Sequence, residues 1–115
     1  MIRILIVIDM QYAFITGVLG TKEAQAIRAL DYPGVEILML RQVMDDQEIR
    51  TLWELNVILT VGSLEAAQRI NKAVAGKVAV HLKVDTGMGR YGFLPCEIDK
   101  MLQVYKIENL AVKGI

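Results

Sequence analysis

Five short runs of nearly uninterrupted apolar residues, separated by segments with the spacing of amphipathic helices, constrain the fold of this chain more than any other feature. The runs are Met1–Ile8, Val35–Leu40, Val57–Val61, Val78–Val84 and Leu110–Ile115. A strand that is apolar at every position has no side to offer water, so each run reads as a buried strand of a parallel sheet. Parallel neighbours need long crossovers, and the intervening segments supply helices. Thr21 is expected to cap a helix Lys22–Leu30 with Ala24, Ile27 and Leu30 turned inward. Asp45 and Glu48 make a capping-box-like start for a second helix to about Leu55, with Ile49, Leu52 and Trp53 as its stripe. Ser63 caps a third, with Leu64, Ala67, Ile70 and Val74 inward and Gly76 as its stop. Pro95 suits the first turn of a fourth, whose expected buried face is Ile98, Met101, Leu102 and Tyr105.

The expected class is therefore α/β: one domain, residues 1–115, built as a five-stranded parallel sheet of alternating βα units and half-barrel-like. A flavodoxin-like or Rossmann-like open sheet, with the first strand inserted centrally and helices on both faces, is the alternative. A closed eight-stranded barrel takes about 200 residues or more, against 115 here. The 54% apolar content exceeds the usual ~45–50%. Such a surplus leaves apolar surface over, so a homodimer covering the open face is expected. Thirteen basic and thirteen acidic residues cancel and are interspersed, which argues against nucleic acid as a partner. Asp9 interrupts the first apolar run, and no stretch approaches the ~18 residues that span a bilayer. A cytoplasmic protein with no membrane partner is the expectation. The single cysteine, Cys96, excludes an internal disulfide and a cysteine zinc cluster. It reads as a small hydrophobe where the fourth helix begins, and no metal site is expected.

Chemistry concentrates at the end of the fourth strand. Lys83 stands near its carboxyl end, Asp85 follows, and Gly87, Gly89 and Gly92 surround Arg90. Carboxyl ends of strands are where α/β proteins place their sites, so Lys83 and Arg90 are candidates, with Asp9 at the end of the first strand as a third. A structural reading stands beside this one: Lys83 snorkels from a sheet edge, and Arg90 caps a loop or pairs with Asp85. Gly87-x-Gly89-x-x-Gly92 also has the spacing of a dinucleotide turn. That fingerprint wants an acidic residue closing the next strand, whereas Glu108 precedes it.

The string His81-Leu82-Lys83-Val84-Asp85-Thr86-Gly87-Met88-Gly89-Arg90-Tyr91-Gly92-Phe93 closely resembles the interior of pyridoxal-phosphate-dependent alanine racemases. The resemblance runs from about Glu23 to the last residue and includes Ser63-Leu64-Glu65-Ala66-Ala67 and the closing Leu110-Ala111-Val112-Lys113-Gly114-Ile115. It implies an eight-stranded βα barrel in which this string is one strand and the loop after it. It further implies that Arg90 meets the cofactor's phenolic oxygen and the substrate carboxylate. Lys83, carbamylated in many members, would hold that arginine in place. In that family the Schiff-base lysine lies on the first barrel strand and a tyrosine base comes from another domain. Neither has a counterpart here, so no autonomous turnover is expected.

Residues 1 to about 24 resemble a different family. Ile6-Val7-Ile8-Asp9-Met10-Gln11, followed by Phe14 and Gly17-Val18-Leu19-Gly20-Thr21-Lys22-Glu23-Ala24, is similar to the start of isochorismatase-like and nicotinamidase-like cysteine hydrolases. That likeness implies a general-base role for Asp9, in a triad whose lysine and cysteine have no match here. The two resemblances meet at residues 20–26, which reads as a join between a hydrolase-like strand and loop (1–24) and racemase-like βα units (25–115). The expectation is a recombined or designed α/β scaffold with no catalytic activity of its own and no cofactor. The alternative is a fragment of an alanine racemase, an isomerase, that keeps residual pyridoxal phosphate or anion binding at Arg90.

Overall fold

Strand and helix alternate along the chain as the apolar pattern requires. The elements are β1 (Ile4–Ile8), α1 (Leu19–Ala29), β2 (Val35–Met39), α2 (Asp46–Glu54), β3 (Val57–Val61), α3 (Leu64–Ala73), β4 (Val78–Leu82), α4 (Ile98–Tyr105) and β5 (Leu110–Gly114). They are taken from a computed structural model that describes residues 4–8, 19–30, 35–85 and 92–114. All neighbouring strands pair in parallel, and the sheet order is β1-β2-β3-β4-β5. Each crossover thus lands on the next position in the same direction, which stacks the helices on one face. The open sheet with β1 at its centre is excluded, because helices on both faces require the strand order to reverse.

Strand alternation divides the sheet into two faces. Toward the helices point Ile37 and Met39 of β2, Val57, Leu59 and Val61 of β3, Val78, Val80 and Leu82 of β4, and Leu110 of β5, all buried. They form one core with Ala24, Ile49, Leu52, Ala67, Ile70 and Val104 from the four helices. The opposite, inner face carries Leu5 and Val7, Glu36 and Leu38, Ile58 and Thr60, Ala79 and His81, and Lys113. Here the expectation that β1 is buried fails. Leu5 and Val7 are 49% and 46% exposed, because β1 is an outer strand and no described helix lies over the inner face.

Two helix starts follow the sequence closely. Asp45 accepts a hydrogen bond from Glu48 N at 3.0 Å, and Ser63 accepts from Ala66 N at 3.1 Å, each filling an amide that the helix leaves unpaired. The carboxylate of Glu48 pairs with Arg41, beside the carboxyl end of β2.

Other local expectations are corrected. α1 starts at Leu19, so Thr21 lies inside the helix, and Leu30 is exposed beyond its end. α3 stops because Val74 turns extended, at φ −107° and ψ 151°. Gly76 packs under Trp53, whose Nε1 donates to Lys77 O at 2.9 Å. In α4 the buried side chain is Val104, with Met101 partly buried, while Ile98, Leu102 and Tyr105 face outward. The apolar stripe of α4 is wider than its contact with the sheet, so spacing alone did not show which part is covered.

Candidate functional site

β4 is the strand that builds the site. Val78, Val80 and Leu82 are sunk in the core, so His81 and Lys83, at alternate positions, face the inner side. Beyond the strand the chain stays tied to its neighbours. Lys83 N donates to Val61 O at 2.9 Å, Phe93 N donates to Lys83 O at 2.8 Å, and Asp85 N donates to Phe93 O at 2.8 Å. Val84 and Phe93 form a parallel bridge, and Phe93 is buried. This return is possible because of Gly92. Its φ is +138°, and a Cβ there would stand 2.9 Å from Asp85 N and 3.0 Å from Lys83 O. Only glycine fits such a backbone at such a distance.

Among the described residues, two clefts share the inner face. One of about 360 Å³ lies toward the carboxyl ends of the strands, lined by Leu38, Leu40, Thr60, His81, Lys83 and Val84 among others. The other, about 790 Å³, lies toward the amino ends, and Glu36, Ile58, Ala79, His81 and Lys113 are in its wall. The imidazole of His81 stands between them. It rests on Gly114, where a Cβ would come within 3.1 Å of its Cε1 and Nε2. Thr60 is buried beside it and donates to Met39 O at 2.7 Å. The upper cleft is thus an apolar recess with one amine, Lys83, and one imidazole at its edge. Its size is that of a small-molecule site.

Of the candidates, Lys83 lies in this cleft, whereas Asp9 and Arg90 are outside the described residues. Lys83 does not snorkel from a sheet edge: β4 is paired on both sides. Cys96 is exposed in the turn before α4 and is not a core hydrophobe. A dinucleotide turn is also ruled out, since its third glycine should open a helix, and α4 begins only at Ile98. Among the described residues no group of His, Cys, Asp or Glu could hold a metal ion, and no helix is long and apolar enough to cross a membrane.

Three further features come from packing. Arg28 in the last turn of α1 donates to Leu55 O at 2.7 Å, Val35 O at 2.7 Å and Asn56 O at 2.9 Å, tying α1 to the starts of β2 and β3. The Arg41–Glu48 pair is partly buried where β2 ends. His81 shares its face with Thr60 and Lys83, which period-two alternation along β3 and β4 could have signalled.

A parallel sheet in sequential order, helices on one face, and a recess at the carboxyl ends on the other define a segment of a βα barrel. The comparisons narrow this class. The family described as alanine racemase, N-terminal domain, matches residues 7–115, and the chain belongs to it. An alanine racemase of Desulforamulus reducens is 41% identical over 98 residues, covering 81% of this chain and 26% of that protein. One from Methanococcus maripaludis is 41% identical over 76 residues, covering 61% of this chain and 20% of its own length. The solved alanine racemase of Clostridium difficile 630 superposes with a TM-score of 0.75 at 26% identity, over 98% of this chain and 35% of that one. This chain thus spans between a fifth and about a third of these relatives. The family match starts at residue 7 and runs across residues 20–26. Neither a join there nor a recombined or designed origin finds support in it.

Proposed function

We propose that this chain is the segment of a pyridoxal-phosphate-dependent alanine racemase barrel that forms the wall facing the cofactor ring and the substrate carboxylate. The observation that carries the reading is the position of the racemase-like string. Lys83 stands in the cleft at the carboxyl end of β4, and Arg90 lies in the sequence between Asp85 and Gly92, both of which the structure holds at that end. An arginine guanidinium is a fixed fork of donors for a carboxylate, and in this reading Arg90 supplies it and Lys83 is the residue that positions it.

The described residues fit only part of a pyridoxal phosphate site. The apolar recess of Leu38 and Leu40 suits a planar ring, but β1 reads Ile-Leu-Ile-Val-Ile and carries no lysine. The covalent anchor that the family places on its first strand is missing from the described strands, and no catalytic step is assigned to this chain alone. In the complete barrel the remaining strands would cover Leu5 and Val7 on the inner face, and homodimerisation of the complete enzyme belongs to the same proposal.

The test is complementation. An alanine racemase lacking the matched segment is mixed with this chain, and alanine racemisation is followed as concentration rises. The chain alone is expected to give no turnover and no single lysine trapped by borohydride with pyridoxal phosphate. The mixture should restore turnover, and Arg90→Ala should lower the restored rate roughly tenfold or more. Turnover by the chain alone, or none from a mixture that co-purifies as a complex, overturns the reading.

A further inference from the structure

We infer that His81 is a positioning residue for the Lys83 amine, and that a bulge in β5 holds its ring in place. β4 and β5 pair regularly from Val78 and Leu110 to Val80 and Val112, but the next pair is His81 and Gly114. β5 advances two residues where β4 advances one, and Lys113 is the extra residue. Regular pairing would set Lys113 beside His81, on strands only ~4.8 Å apart, and crowd two basic side chains together. The bulge puts a glycine there instead. The imidazole takes the space: a Cβ on Gly114 would stand 3.1 Å from its Cε1 and Nε2 and 3.4 Å from its Nδ1. On its other side the paired residue is Thr60, which is buried and whose hydroxyl donates to Met39 O at 2.7 Å.

Seated on β5, the ring borders the upper cleft without filling it. Leu38, Leu40 and Thr60 line that cleft on the β2 and β3 side, and a ring turned toward them would lie over Thr60 and close it. Lys83 stands two positions further along the same face of β4, about 6.6 Å away along the strand. A four-carbon stem reaches the ring from there. Both side chains are half-buried, and both line the upper cleft. His81 alone of the two also lines the lower cleft, so its ring stands where the Lys83 stem would otherwise fold back along β4. The amine is thereby kept at the carboxyl end of the strand.

The role rests on the barrel-segment reading, but its first test is read on this chain alone, so its failure is separate from a failure to restore racemisation. In the isotope-labelled chain, nuclear Overhauser contacts are expected between the imidazole protons of His81 and the side-chain methylenes of Lys83. Gly114→Val, whose branched side chain takes the seat of the ring and suits a strand, should shift the Lys83 side-chain resonances. His81→Ala, which removes the ring, should shift them too. Lys113→Ala, which takes away a charge and keeps the bulge, should leave them in place. His81 is only half-buried, so His81→Ala keeps the fold and decides the matter where Gly114→Val lowers stability. In the complementation mixture His81→Ala should lower the restored kcat/KM roughly tenfold or more, and His81→Gln, which keeps a planar polar group there, should recover most of it. Absence of the Overhauser contacts, or Lys83 resonances that His81→Ala does not move, overturns the assignment. An equal shift with Lys113→Ala also overturns it, by making charge and not the seat of the ring the cause.

Discussion

At the scale of single residues, the position that most tightly couples sequence to site is Gly92. Its backbone is left-handed, and two main-chain atoms of the Lys83–Asp85 segment stand where a side chain would go. Gly92→Ala therefore combines backbone strain with a clash against atoms that cannot rotate away. The expected cost is about 1–3 kcal/mol, read as a lowered urea midpoint. Gly76→Ala is the control: its Cβ would meet Trp53 Cζ2 at 3.4 Å, an ordinary contact, and its midpoint should hardly move. The cluster of three glycines was legible in the sequence, and the positive φ and close approach at Gly92 are what the structure adds. Arg28 was not legible. Two carbonyls just before β3 and one at the start of β2 converge on it only once α1 packs beside the end of α2, and no local pattern announces such a junction.

At the scale of elements, the start of α4 carries a small polar cluster in place of a side-chain cap. The carboxylate of Glu97 accepts from Lys100 Nζ at 2.8 Å and from Leu94 N at 2.8 Å. These contacts, the Lys100 hydrogen bond first, hold its carboxyl below the ordinary value, while the Glu97 hydrogen bond raises the Lys100 ammonium above its own. The signs then follow. The Glu97 contribution is present above the ordinary carboxylate value, near pH 4, and is lost as pH falls through the lowered one. The Lys100 contribution is present below the ordinary lysine value and is lost as pH rises through the raised one. Both groups are exposed, so the effect stays local. Exchange of the Leu94 amide, corrected for intrinsic rate, should lose protection on acidification, and Glu97→Gln should flatten that dependence. The caps at Asp45 and Ser63 could be read in advance because the bonding residues are three apart in the chain. The buried side of α4 could not, because five apolar residues competed for a contact wide enough for two.

At the scale of the whole molecule, stability should be graded across the sheet. β3 is buried at all five positions and paired on both sides, whereas β1 is paired on one side and leaves Leu5 and Val7 half exposed. Native-state hydrogen exchange is expected to show Val57–Val61 opening only with global unfolding and Ile4–Ile8 exchanging tenfold faster or more. Comparable protection in the two strands would mean that the inner face of β1 is covered in solution.

By itself the sequence determined the alternation of strands and helices, two helix caps, the parallel class of the sheet and the position of Lys83 at a strand's carboxyl end. Each of these rests on periodicity or on bonds between residues a few places apart, so the chain carries the information locally. The tertiary structure alone decided the strand order, the one-sided helical layer and therefore barrel over open sheet. It also decided the edge position of β1, the meeting of His81 with Thr60 and Gly114, and the outward ridge of α4. Those depend on which surfaces lie next to one another after packing. An apolar side chain has the same affinity for any dry surface, so its presence in the sequence does not say which neighbour will cover it.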